Sequence, residues 1–248
     1  MDDLTHDKFM GGRLRLWQPR RGYRAGVDPV LLAASVPGDV QTVLDLGCGV
    51  GAAGLCLAAR LPGVRVTGLE VQPPYAALAR RNADETGLAF DVVEGDLTDM
   101  PPPLRDRQFD QVIANPPYFR RDRSVPAQDA TRETAMGETA PLEAWVRAAA
   151  RRTRDRGHVT MIQRVERLPE LLALFDRYLG SVALLPLVPR AGRDSQLVLI
   201  RGRKGGRAAF RLHAGIVMHD APSHQGDGED YSPAIRAVLR DGAALPFP

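Results

Sequence analysis

The residues best suited to chemistry are Asn115-Pro116-Pro117-Tyr118. Before them, Phe109-Asp110-Gln111-Val112-Ile113-Ala114 leans apolar and reads as a buried strand. Neither proline has an N–H for a ladder, so the strand stops at Asn115 and the chain leaves the sheet stiff and extended. An amide, a run of carbonyls and a phenol ring then stand at the carboxyl end of a strand, where open α/β sheets bind ligands. Such a corner suits group transfer to a planar amine, whose lone pair is delocalised. Acceptors that hold its hydrogens, here the Asn115 oxygen and the Pro116 carbonyl, raise the density on nitrogen and aim it, while Tyr118 offers a stacking face. The same four residues also make an ordinary turn, because Asn-Pro and Pro-Pro both mark turns.

A second site lies upstream. Val43-Leu44-Asp45-Leu46 is a short apolar strand, Gly47-Cys48-Gly49-Val50-Gly51 a glycine loop, and Ala52 to Arg60 an Ala/Leu-rich helix. Gly47, Gly49 and Gly51 let backbone approach a ligand without Cβ clashes, and the helix start offers free N–H groups to a carboxylate. Dinucleotide sites use a related device, but the spacing here is Asp-x-Gly-x-Gly-x-Gly, and Asp45 would repel a pyrophosphate. Val64 to Glu70 is the next strand, and its terminal acid is placed for both hydroxyls of a ribose or as a cap for the following helix. Pro73 to Glu85 reads as that helix, stopped by Gly87. Phe90 to Glu94 is the third strand, followed by Gly95-Asp96-Leu97. Asp96 can accept from an adenine amino group with Leu97 over the ring, or form a plain turn.

The flanks position these sites. The first 40 residues alternate Leu and Arg around Leu14-Arg15-Leu16, as an edge strand or hairpin would, and Asp28-Pro29 looks like an N-cap and first helical position. Met100 to Arg107 reads as a surface connection. After Tyr118, Phe119-Arg120-Arg121-Asp122-Arg123 opens a polar stretch to about Thr139. It is read as a surface loop or, through Phe119, Arg120, Arg121 and Arg123, as a nucleic-acid contact and lid. Pro141 to Arg152 is a helix, with Arg151, Arg152, Arg154 and Arg156 as dipole partners at its end. His158 to Gln163 is a fifth strand and Leu168 to Tyr178 a helix. Ser181 to Leu187 and Ser195 to Arg201 are a strand pair, Arg203 to Arg207 a basic turn, Phe210 to Met218 one more strand, and Tyr231-Ser232-Pro233 the start of a short helix.

Composition bounds the rest. At 248 residues the chain needs no disulfide or metal to fold. Its two cysteines, Cys48 and Cys56, are too few for a disulfide framework or a zinc site and suit a reducing cytoplasm. His213, His219 and His224 near Asp220 and Asp227 match no metal signature. No apolar run is long enough to span a membrane. Net charge is +3, and Lys8 and Lys204 are the only lysines among 33 basic residues. Arginine favours contact with phosphates and base faces, although coding bias gives the same composition.

Asp45 to Gly51, Glu70, Gly95-Asp96 and Asn115 to Tyr118, in that order and at those intervals, resemble the class I S-adenosylmethionine-dependent methyltransferases. The resemblance implies a seven-stranded Rossmann-like α/β sheet with helices on both faces and a short N-terminal cap. It implies S-adenosylmethionine as cofactor, with Asp45 in its motif, Gly47, Gly49 and Gly51 lining the methionine part, Glu70 holding ribose, Asp96 and Leu97 holding adenine, and Asn115 bordering both ligands. Asn115, Pro116, Pro117 and Tyr118 would be catalytic and act on adenine N6, cytosine N4, guanine N2 or a glutamine amide. Phe9 to Leu14, Gln18-Pro19, Gly22-Tyr23-Arg24, Asp28 to Ala34 and Tyr231-Ser232-Pro233 narrow this. They resemble the bacterial tRNA1(Val) adenine-37 N6-methyltransferase family, and so imply an RNA partner, a tRNA. Release-factor glutamine methyltransferases share Asn-Pro-Pro-Tyr, but carry a long helical domain that residues 1–40 do not resemble. The expected organisation is a cap over 1–40, a methyltransferase domain over 41–203 and an extension of it over 204–248.

Overall fold

The computed structural model of the chain describes residues 3–118, 140–220, 230–245 and 247. It opens with a hairpin, β1 (Leu4–Phe9) against β2 (Leu14–Pro19), which forms its own two-stranded sheet. Then come α1 (Asp28–Ala34), β3 (Thr42–Leu46), α2 (Ala52–Arg60), β4 (Arg65–Glu70), α3 (Pro73–Thr86), β5 (Phe90–Glu94), α4 (Pro102–Arg105) and β6 (Phe109–Ala114). The second half holds α5 (Leu142–Arg152), β7 (Thr153–Arg164), α6 (Leu168–Tyr178), β8 (Gly180–Arg190), β9 (Leu197–Arg203), β10 (Arg211–Leu212), β11 (Ile216–His219) and α7 (Pro233–Arg236).

The main sheet runs β5-β4-β3-β6-β7-β9-β8, parallel except for β9, which is antiparallel to both neighbours. That is the expected seven-stranded, Rossmann-like α/β arrangement with helices on both faces. Two short strands widen it: β10 runs parallel to Ala183–Leu184 and β11 parallel to Leu187–Arg190, both on β8. The single strand expected over 210–218 is therefore two pieces on one edge. Among the described residues no helix is long and apolar enough to cross a membrane.

Strand residues alternate between two apolar cores. Val43, Ile113, Ile162 and Leu199 face the side covered by α1, α2 and α3. Leu44, Val112, Met161 and Ile200 face the side covered by α5 and α6. The central strands are buried on both faces, so they read as continuous apolar runs rather than alternating ones. Helix α3 begins on two prolines and ends where Gly87 turns left-handed at φ 63°, the preferred chemistry at either end. The stretch read as a surface connection at Met100 to Arg107 contains the one-turn α4, seated by a fully buried Leu104.

The hairpin docks on α3, and one amide does most of the joining. Asn82, fully buried, accepts the Trp17 N–H at 2.8 Å and donates to the carbonyls of Trp17 at 3.1 Å and Val50 at 2.9 Å. It thus ties the hairpin, α3 and the glycine loop together. The Trp17 indole donates to Glu85 at 2.7 Å and lies between the His6 ring and the Arg81 guanidinium. Replacing Asn82→Leu keeps the volume but strands buried polar groups of Trp17 and Val50, at a cost of about 2–4 kcal/mol. Urea unfolding should read this as a lower midpoint at unchanged slope; a midpoint like that of the parent chain would contradict the joining role.

Candidate active site

Strands β3, β4, β5 and β6 are parallel and in register, so their carboxyl ends, Leu46, Glu70, Glu94 and Ala114, meet at one edge of the sheet. A cavity of about 870 Å³ opens there. Asp45, Gly47, Gly49, Glu70, Asp96, Leu97, Asn115, Pro116, Pro117 and Tyr118 all line it. Gly51 lies just behind, at the N-cap of α2, with φ 85°. Phe119, Arg120, Arg121 and Arg123 lie outside the described residues.

The glycine loop is shaped by neighbouring rings as much as by any ligand. A Cβ on Gly47 would sit 2.4 Å from the Trp145 ring, and one on Gly51 2.8 Å from Phe90. Both glycines also have positive φ, where a side chain is strained. The first turn of α2 is partly used by the protein itself, since Gly54 N–H donates to Asp45 at 3.0 Å. That leaves fewer free N–H groups for a carboxylate than the sequence suggests.

Glu70 is similarly engaged. One of its oxygens accepts from Gly49 N–H at 2.9 Å and the other from Gln72 N–H at 2.8 Å, ahead of α3. The acid therefore both lines the cavity and steadies the helix entry. Each oxygen keeps a second lone pair for a ligand. Asp96 does likewise: Oδ1 accepts Thr98 N–H at 2.7 Å, making the turn, while the residue faces the cavity.

Burial pushes the Asp45 carboxyl up to about 7, with the Gly54 N–H pulling it down and Glu70 pushing it further up. Burial also raises Glu70, against the N–H groups of Gln72, Gly49 and Val71. These shifts reflect carboxyls enclosed without a cation against them among the described residues.

At the Asn-Pro-Pro-Tyr corner, Asn115 Nδ2 donates to Tyr23 Oη at a long 3.4 Å, and Asn115 Oδ1 is buried with no partner among the described residues. An unpaired buried acceptor is costly and calls for an explanation. Gln163 Nε2, at the end of β7, donates to the Pro116 carbonyl at 3.2 Å, which leaves that oxygen one lone pair. Tyr118 Oη donates to Asp28. Asp28 was read as a helix N-cap, but the N-cap is Val27 and Asp28 is the first helical residue, lining the cavity. Arg164 lies over the Tyr118 ring, 5.8 Å from its centre.

Sequence reasoning missed Tyr23, Asp28, Trp145 and Gln163 as parts of the site. Tyr23 and Asp28 stood inside the N-terminal resemblance without a role. Nothing local marks Trp145 or Gln163, which reach the site from α5 and β7. Of the arginines read as dipole partners, Arg151 and Arg152 lie in the last turn of α5 as expected. Arg152 also donates to the Leu104 carbonyl at 2.7 Å, and Arg154, beyond the helix, pairs with the buried Asp110 at 2.8 Å. Among the described residues no cluster of His, Cys, Asp and Glu could hold a metal ion. Cys48 and Cys56 are free and buried.

The raised Asp45 carries a sign. The unfolded carboxyl releases its proton near pH 4, whereas the folded one holds it to about 7. Ligand-free stability is therefore lost as pH rises between those values and levels off above them. Asp45→Asn keeps an acceptor for Gly54 and should flatten that decline. Urea midpoints from pH 4 to 8 for the two proteins would run parallel if Asp45 were not the cause.

The family model described as the methyltransferase small domain matches residues 27–167. A tRNA1(Val) (adenine(37)-N6)-methyltransferase of Porphyromonas gingivalis is 34% identical over 181 residues, 68% of this chain and 69% of that protein. One of Aeromonas hydrophila is 30% identical over 84% of this chain and 87% of its own length. A release factor glutamine methyltransferase of Geobacter sulfurreducens is 43% identical, but over only 31% of this chain and 26% of its own. Among solved structures, a predicted O-methyltransferase of Agrobacterium tumefaciens shares 28% identity at a TM-score of 0.72, covering 88% of this chain and 98% of that one. The 16S rRNA N2 G1207 methyltransferase of T. thermophilus, solved with AdoMet and guanosine, shares the fold at 19% identity and a TM-score of 0.57, over 81% and 50%. With the cavity at the carboxyl ends of a sheet in this strand order, the chain belongs to the methyltransferase small domain family, among the S-adenosylmethionine-dependent methyltransferases.

Proposed function

We propose that the chain methylates the exocyclic N6 of an adenine in tRNA, in the anticodon loop. The observation that carries this reading is Asn115 Oδ1, a buried acceptor without a partner among the described residues, beside Tyr118 in a cavity of about 870 Å³. An amine with two hydrogens suits it: one hydrogen goes to Asn115 Oδ1 and the other to the remaining lone pair of the Pro116 carbonyl. The Tyr118 ring then stacks on the base. The names of the Porphyromonas and Aeromonas relatives point to the same atom.

The cavity suits the cofactor by the chemistry of its donors and acceptors. Glu70 and Asp96 keep free lone pairs for hydroxyl and amino hydrogens, and the glycine loop presents backbone with Asp45 behind it. Glu70 is assigned to ribose, Asp96 and Leu97 to adenine, and Gly47, Gly49 and Gly51 to the amino-acid portion. S-adenosylmethionine supplies an electrophilic sulfonium methyl when bound. The chain's own contribution is orientation and exclusion of water, worth several powers of ten in rate, with acceptors fixed before the reaction. No side chain need act as a strong base, because a protonated methylamine product is acidic. Turning the adenine out costs a few kcal/mol, least in a single-stranded loop. A tRNA substrate would be met in the cytoplasm, the location this reading takes, and Arg120, Arg121 and Arg123 remain candidates for its phosphates.

A hydroxyl acceptor, as the description of the Agrobacterium structure suggests, fits less well. A hydroxyl has one hydrogen and needs a base, and the corner offers neutral acceptors with Asp28 already taken by Tyr118. Methyl-labelled cofactor offered with unmodified tRNA, duplex DNA and release factor should place label in tRNA alone, as N6-methyladenosine. Label in the protein instead would overturn the reading. Asn115→Ala should lower kcat by about two powers of ten, as loss of one preorganised polar contact does, with cofactor affinity nearly unchanged by calorimetry. Equal losses in both would refute the role given to that side chain.

A further inference from the structure

We infer that Asp28 is a positioning residue for the target base, acting through Tyr118. The inference rests on the Asn-Pro-Pro-Tyr corner being the acceptor site. Tyr118 donates its hydroxyl to Asp28 across a sequence separation of 90 residues. Asp28 opens α1 just after the N-cap Val27, where an acid is ordinarily spent on the helix's own N–H groups; here its carboxylate accepts from Tyr118. Both residues line the cavity.

The arrangement is closed on several sides. Arg164, at the end of β7, lies over the Tyr118 ring and its charge draws the Asp28 carboxyl down, against burial, which raises it. Next to it in sequence, Gln163 holds the Pro116 carbonyl. Tyr23, five residues before Asp28, meets the Asn115 amide. The turn from Asn115 to Tyr118 is thus gripped from the N-terminal segment on one side and from β7 on the other. Two prolines fix the backbone between the two functional side chains. They do not fix the rotation of the Tyr118 ring, which a hydrogen bond at its far end does.

A ring held in this way presents one face at one angle. Stacking on an aromatic face helps to hold a base in place, and misplacement by an ångström can cost about a hundredfold in rate. A phenol kept for its hydroxyl grip needs no ionisation, and burial and the Asp28 charge both raise the Tyr118 hydroxyl.

The test is a cycle of Asp28→Ala, Asp28→Asn, Tyr118→Phe and the double change Asp28→Ala with Tyr118→Phe. Steady-state rates on tRNA, cofactor affinity and melting temperature are measured for each. Asp28→Ala and Tyr118→Phe should each lower kcat/KM for RNA by about tenfold or more. The double variant should lose no more than either alone, because the two groups act as one. Asp28→Asn, which keeps an acceptor, should restore most of the rate, with cofactor affinity unmoved throughout. Additive losses, or full activity in Tyr118→Phe, would overturn the inference, and the latter variant serves even if Asp28→Ala does not fold. A substrate-independent reading uses 3-fluorotyrosine placed at 118 in the ligand-free protein. Its fluorine signal should be a single ordered line that broadens or shifts in Asp28→Ala, and an unchanged line would sink the proposal. Wild-type protein inactive on tRNA would count against the proposed substrate alone, since the fluorine signal still decides the contact.

Discussion

Parallel pairing at the centre of the sheet is the constraint on which the site depends. With β3 in register between β4 and β6, Leu46 lies beside Leu69 and Ala114, and each following residue is released at the same edge. The glycine loop, Glu70 and Asn115 come from separate segments, yet no long side chain has to reach for another. A one-residue slip in any strand would turn its residues to the opposite face. The buried faces forbid that slip: Val43 and Leu44 belong to different cores, as do Ile113 and Val112. Packing that appears remote from chemistry therefore sets where the chemistry can occur.

Around this frame the protein carries an electrostatic load. Asp28, Asp45 and Glu70 line one cavity, and burial raises each of their carboxyls. Backbone N–H groups offset part of the cost for Asp45 and Glu70, and Tyr118 does so for Asp28. By contrast Asp110, at the amino end of β6, stands below its usual range. Burial raises it, but the N–H groups of Gln41 and Thr42 and the charge of Arg154 outweigh that. The two ends of the sheet thus treat their acids oppositely: one end satisfies an anion for stability, and the other keeps raised carboxyls around the cavity.

The strands up to β7, both cofactor-type motifs and the strand end at Ala114 were legible in the sequence, because each is announced locally. Apolar runs of five or six residues, glycines at alternate positions and adjacent prolines act on their own neighbours. The hairpin was visible in the same way, from Leu and Arg alternating along β2. Partner choice was not. Nothing near Asp28 indicates Tyr118, nothing near Gly47 indicates that Trp145 fills the space above it, and nothing near Gln163 indicates the Pro116 carbonyl. Asp28-Pro29 has the composition of a helix cap, and tertiary contact overrode it. The division of the last edge into β10 and β11 was hidden too, since two-residue pairings leave little periodicity to read.

Arg201 brings time into the picture. Its buried guanidinium, lowered by burial to about 10, donates to the Ser35 carbonyl after α1, to the Phe247 carbonyl and to Thr160. The contact with Ser35 spans 166 residues of sequence. Contacts so distant in sequence are slow to form, because a long loop must close before they return any energy. The segment bearing Tyr23 and Asp28 is made early by the ribosome, yet cannot be fastened through Arg201 until β9 has emerged and entered the sheet. A nascent chain would therefore possess its glycine loop and its Asn-Pro-Pro-Tyr corner well before this wall of the cavity is secured behind them.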